Sequence, residues 1–250
     1  MIVEAYDRVT QEFSRLNLLT AELRAETDKT TTRTSRTPAN VEAVLNLLRK
    51  AESLEKSYVD WQESMPPSWQ YKTVSWVDIR GGDIASSFHH PGRVDSYGEL
   101  WMVYTYNTAR ASRLFVWTTI LRCVAWLADP KDYRITPEYA TAARVCSGLI
   151  EDIVASVPSY FGSNGFSDIY LADRSNYACG SNEKTSPKGL SGVFSMWPLF
   201  SAATSDFATP SQRVFLKGRL KYIADTLGIN QAAVLFHVSE FPSATAPKSF

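Results

Sequence analysis

The sequence is poor in cysteine: Cys123, Cys146 and Cys179 are the three present in 250 residues. They are odd in number and far apart, so no disulfide framework follows. Without a CxxC pair they cannot build a zinc finger or zinc cluster. A reducing compartment is the natural setting. An excess of one charge is also lacking, since 26 basic residues balance 26 acidic ones. A domain that grips DNA by its phosphates carries a basic surplus or stripe, so direct nucleic-acid binding is not expected. A long uncharged apolar run is missing too. The most apolar stretch, Leu100 to Leu127, contains Arg110, Arg113 and Arg122. A bilayer would penalise three arginines heavily, which points to a buried helix and no membrane span. Charges throughout Met1 to Arg15 argue against a signal peptide.

Chemical motifs are equally scarce. There is no GxSxG elbow and no HExxH pattern. His89 and His90 are adjacent, do not share a helix face, and lie far in sequence from His237, so they read as loop residues. The GSNG at Gly162 to Gly165 has no Lys-Ser/Thr after it and reads as a turn. Glu151 and Asp152 are consecutive, point to different sides of a helix, and read as part of a solvated face. No catalytic residue, metal ligand or cofactor is assigned from these patterns.

What is present is the composition of a globular protein: 44% hydrophobic, 21% charged and 12% aromatic, including seven Trp. Helical spacing recurs along the chain. Ile2, Tyr6, Val9, Phe13, Leu16 and Leu19 form one stripe, which gives an N-terminal helix over residues 1–26. The polar, Thr-rich residues 27–40, broken by Pro38, read as a flexible linker. A helix from Val41 ends before Pro66-Pro67, and Trp69 to Ile79 reads as an extended aromatic segment. A long helix is expected from Ser96 to Ala128, with Ser96 and Glu99 as a capping box, followed by one from Thr136 to Val157. Pro158 to Leu190 reads as a long loop. Three short helices follow, over Val193–Ala203, from Thr209 or Pro210 to Gly228, and over Asn230–Val238, then a frayed tail over 242–250. The class is all-α: an irregular multi-helix bundle with a long buried central helix, its main helical domain covering 41–241.

Polar groups are embedded in that long apolar helix. Buried polar groups need partners, and a buried Arg needs a carboxylate. Trp101, Tyr104, Asn107 and Arg110, with Trp197 from the last third, are therefore candidates on two readings. One is a hydrogen-bonded core network. The other is a small-molecule pocket lined by aromatics with a few polar anchors.

Three segments carry a resemblance. Arg93 to Leu127 places Tyr97 and Trp101 before an Asn-x-x-Arg-x-x-Arg pattern at Asn107, Arg110 and Arg113. Trp61 to Val74 has a Trp, Pro, Trp order. Gly192 to Leu235 has Trp-Pro-Leu at Trp197 to Leu199, Gln212-Arg213, and Gly-Ile-x-Gln-Ala at Gly228 to Ala232. Together these resemble the fungal-specific transcription factor domain, the regulatory region of zinc binuclear cluster factors, over about residues 40 to 240. The resemblance implies a helical module for effector response, dimerisation and activation control. It implies a nuclear location (cytoplasmic otherwise), a small-molecule effector, and protein partners or a second copy of the chain. The six cysteines of the zinc cluster and its basic linker are absent from this sequence. A fragment of a longer factor, a truncated product, and a helical domain kept for another task all fit that departure. Two other readings stay open. One is a binder or enzyme of fungal secondary metabolism on the same scaffold, with Tyr104, Asp95, His89 or His90 as acid-base groups. The other is an interaction protein without a ligand.

Overall fold

A computed structural model describes residues 2–33, 35–78, 82–161 and 188–240. Its elements are α1 (Ile2–Thr31), α2 (Pro38–Glu63), β1 (Lys72–Val77), β2 (Gly92–Ser96), α3 (Leu100–Ala128), α4 (Pro137–Phe161), α5 (Lys188–Thr204), α6 (Pro210–Asp225) and α7 (Asn230–Glu240). Helices dominate the described residues, as the all-α expectation requires. The expected loop over 158–190, the GSNG turn, Cys179 and the tail from 242 fall largely outside the described residues.

The chain separates into two compact units. The first joins Met1–Pro67 to Ser112–Gly148, and the second joins Ser68–Ala111 to Leu149–Phe250. In the first, α1 packs on α2. Val9, Phe13, Leu16 and Leu23 from α1 and Val44, Leu47, Ala51, Leu54, Tyr58 and Trp61 from α2 are buried at helical spacing. The Trp61 indole donates to the Val9 carbonyl at 3.1 Å. Arg113, in the α3 segment of this unit, forms a fork on Glu55, with Nη2 to Oε1 at 2.6 Å and Nε to both oxygens at 3.1 Å.

The Thr-rich stretch behaves differently from a linker. α1 runs on to Thr31, and Thr37 caps α2 through its side chain with Pro38 in the first turn. Thr27 is fully buried. Its hydroxyl donates to the Leu23 carbonyl at 2.7 Å and shares a hydrogen bond with Thr119 at 3.2 Å. Returning the hydroxyl to the preceding turn satisfies it locally, so a run of threonines can stay helical.

In the second unit α5, α6 and α7 pack on one another. β1 and β2 form an antiparallel pair whose register shifts between Thr73 and Ser75. Ser96 therefore ends a strand, and α3 starts at Leu100, so the expected Ser96–Glu99 capping box does not form. A capping box does form at α6, where Thr209 accepts from the Gln212 amide and Gln212 accepts from the Thr209 amide. Pro158 and Pro198 lie inside α4 and α5. α4 thus runs past Val157, the end expected for it, whereas Pro198 falls inside the helix expected over Val193–Ala203. α3, with 29 residues, is long and apolar enough by composition to cross a membrane. In the structure Val103, Tyr106, Asn107 and Arg110 on its first half, and Val116, Thr119, Ile120 and Cys123 on its second, are buried within protein.

Candidate functional site

In the second unit a set of polar side chains gathers around Arg110. The residue is 1% exposed. Nη1 donates to the Tyr97 hydroxyl at 2.7 Å and to Asn107 Oδ1, one helical turn back, at 2.8 Å. Nε lies 3.4 Å from Asp152 Oδ2, an ion-pair distance outside hydrogen-bond geometry. Three tyrosine rings surround the cation, with Tyr71, Tyr106 and Tyr97 centroids 5.2, 5.4 and 5.9 Å from its central carbon. The rings also meet each other: Tyr71 and Tyr97 are tilted at 5.1 Å, and Tyr106 stands edge-on to Tyr71 at 5.6 Å.

A second arginine completes the charge balance. Arg93 on β2 donates from Nη2 to Asp152 Oδ1. Its Nε lies 3.0 Å from Asp95 Oδ2. Asp95 is fully buried and accepts from the Thr73 hydroxyl on β1 at 2.8 Å. Its backbone carbonyl accepts from Ser159 on α4 at 2.8 Å. Two arginines thus face two aspartates, and the hairpin is tied to α4 through both side chain and backbone. Burial raises the Asp95 carboxyl above its ordinary range, against the pull of Thr73, Arg93 and Arg110. Burial likewise drives the Tyr97 hydroxyl strongly upward and pushes Tyr106 up to about 12, each against Arg110. Both tyrosines therefore stay protonated at neutral pH.

Asn107 extends the network into α4. Its amide nitrogen donates to Ser156 Oγ at 2.6 Å and to the Tyr160 hydroxyl at 3.2 Å. Ser156 donates to the Ile153 carbonyl at 2.7 Å, and Tyr160 donates to the Val103 carbonyl at 3.2 Å. Asn107, Ser156 and Tyr160 are each no more than 1% exposed.

Of the five residues singled out in the sequence, Asn107 and Arg110 are the two that meet here. Trp101 precedes Arg110 by nine residues, about two and a half helical turns, which puts it on the opposite face of α3. It stands edge-on to Trp69 at 4.7 Å. Tyr104 lies against Phe194 of α5 at 4.4 Å. Trp197 is 49% exposed, with Phe200 beside it at 6.2 Å.

Asp152 corrects an expectation. It belongs to no solvated face; it is the carboxylate that Arg93 and Arg110 share. The signal was the row Asp152, Ser156, Ser159 and Tyr160, polar groups at helical spacing along an otherwise apolar helix. Asp95 and the two histidines proposed as acid-base groups are also held in place. Asp95 sits in the ion network. His90 Nε2 is 2.9 Å from Ser211 Oγ and its Nδ1 is 2.9 Å from the Pro91 carbonyl. His89 is 2% exposed and its imidazole is pushed down to about 4, by burial first and by the charge of Arg219 second.

No family model matches the chain, and no solved structure does. It is 23% identical over 192 residues to the transcription factor dbaG of Emericella nidulans, a match that covers 76% of this chain and 43% of that protein. The chain thus spans less than half the length of the curated relative it matches, and its similarity at this distance is to a fungal transcription factor.

Proposed function

We propose that the chain is a regulatory domain of the kind carried by fungal zinc-cluster transcription factors. It works in the nucleus, responds to a small-molecule effector, and passes the response to protein partners or a second copy of itself. The observation that carries this reading is the match to a fungal transcription factor along three quarters of the chain. The fold supports it. The Asn-x-x-Arg-x-x-Arg pattern that drew the resemblance is spent on buried networks, Asn107 and Arg110 in the second unit and Arg113 in the first. Such spacing serves to hold a helix in a defined setting, and a regulatory module needs a defined setting to switch from. No step of covalent chemistry is required.

The test is a tethering assay. The chain is fused to a heterologous DNA-binding module upstream of a reporter in a filamentous fungus. Reporter output that departs from the DNA-binding module alone, and that changes with growth condition, supports the proposal. Output equal to that module alone in every condition, from a fusion shown to accumulate in the nucleus, overturns it.

A further inference from the structure

Arg219 on α6 stands apart from the other buried arginines. It is 1% exposed, yet no Asp or Glu among the described residues lies within ion-pair distance. Nη2 donates to the Ala85 carbonyl at 2.8 Å, while Nε and Nη1 are buried without an acceptor. The cation is walled by rings. Phe88 lies 4.3 Å and Tyr222 5.5 Å from its central carbon, and Phe161 stands against both rings at 5.9 and 5.7 Å. His89 adds a buried neutral imidazole whose protonation the same cation opposes. Asp83 acts on Arg219 only through space, and burial brings the guanidinium down to about 10, so it remains charged at neutral pH.

A buried cation with one neutral acceptor and two idle donors is a poor structural device, because the flanking rings and one carbonyl offset only part of its desolvation. It is a ready receptor for an anion. We infer that Arg219, with Phe88, Tyr222 and His89, binds the carboxylate of a small aromatic acid. This inference rests on the regulatory reading and names the effector class that such a module would answer to. The single positive charge suits a monoanion better than a phosphate dianion, and the ring walls suit an aromatic body.

The strip from Ala85 to His90 lies along α6. It rests so closely that a Cβ on Gly218 would fall 1.9 Å from the Ala85 oxygen. The strip is joined to α6 by the Arg219 bond at one end and the His90–Ser211 bond at the other. An incoming carboxylate takes over from the Ala85 carbonyl as the acceptor of Nη2, and so couples occupancy to the position of the strip.

The probe is sodium benzoate, with benzamide as the uncharged comparison, added to the whole chain at constant ionic strength. Arg219→Lys identifies the Arg219 Nε–H resonance by its loss. The expected result is saturable benzoate binding, about tenfold or more tighter than benzamide, with a shift of that resonance. Arg219→Gln is expected to lose the preference for benzoate. The resonance shift needs no folded Gln variant. Equal response to the two compounds, or benzoate binding with the Arg219 resonance unmoved, overturns the inference. Either outcome leaves the regulatory reading standing, since the tethered reporter tests that separately.

Discussion

Asn107 shows how much one side chain can organise. Its amide nitrogen has two hydroxyls as acceptors and its oxygen accepts from Arg110, all in a dry setting. Asn107→Ala leaves Ser156, Tyr160 and one Arg110 donor short of a partner at once. A loss of about 1–3 kcal/mol is expected, because a buried polar group left without its partner forfeits its desolvation. Urea denaturation reads the loss directly, and a change under about 0.5 kcal/mol, the scatter of ordinary surface substitutions, would sink the claim. Arg110 and Asn107 could be picked out in the sequence because polar residues inside an apolar helix demand partners. The partners could not. Asp152 and Tyr71 lie far along the chain; Tyr106 is the exception, four residues before Arg110 on α3 and on its face by helical spacing alone. His89 carries the second expectation at this scale. Its folded imidazole titrates at about 4, below the ordinary 6.5, so the unfolded chain binds the extra proton first. The stability His89 contributes is complete above pH 6.5 and is lost as pH falls toward 4. At about 1.4 kcal/mol per pH unit it amounts to about 3 kcal/mol. His89→Gln is expected to flatten that part of the pH–stability curve relative to the parent. Superimposable slopes between pH 7 and 4 would show that His89 is not the group responsible.

Secondary structure was legible wherever its cause was local. The α2 stripe, the start of α6 at Thr209–Pro210 and the Gly228 stop, with its φ of +73°, announce themselves within a few residues, whereas the Thr37 cap of α2 lies in a stretch expected to be a linker. Where the cause was distant it was not legible. The β1–β2 pair is separated by residues 78–91, with none of the short-turn chemistry that marks a hairpin. Thr27 to Thr31 stay helical through hydroxyl bonds and a contact to Thr119. Pro158, expected to begin a loop, sits inside α4, which buries Ile153, Val157, Tyr160 and Phe161 around it. Two glycines put the contest between local and distant effects to the test. Gly148 in α4 has open space where a Cβ would go, while a Cβ on Gly218 in α6 would strike the Ala85 backbone. Helix propensity alone favours Ala at both sites by about 1 kcal/mol. Gly148→Ala is therefore expected to stabilise by about 0.5–1 kcal/mol. Gly218→Ala is expected to destabilise, since a backbone clash outweighs the propensity gain and the strip must move. Thermal melts of the two variants decide it: equal shifts of the same sign would mean that the Ala85 strip yields freely.

Across the molecule the arginine pattern on α3 serves both compact units. Arg110 anchors the ion network of the second and Arg113 the Glu55 fork of the first, three residues apart on one continuous helix. The one spacing thus concerns two sites, and Arg93, Arg110 and Arg113 each engage a carboxylate. The same accounting holds for the chain as a whole, where 26 basic residues meet 26 acidic ones. Arg93, Arg110 and Arg113 are paired with carboxylates and Arg219 is buried, so these four are not available as a phosphate-binding stripe. A regulatory module of this charge is expected to rely on a DNA-binding element other than these two units. Counterion release makes that measurable. A protein that neutralises several phosphates loses affinity steeply with salt, with a slope of about −0.9 per phosphate contacted. Fluorescence anisotropy with a labelled duplex, titrated from about 50 to 200 mM salt, is expected to show no saturable binding by this chain and no salt slope. Saturable binding that weakens with salt at a slope of about −4 or steeper would place a phosphate-binding surface on the two units after all. The DNA-contacting role would then have to be sought on them directly.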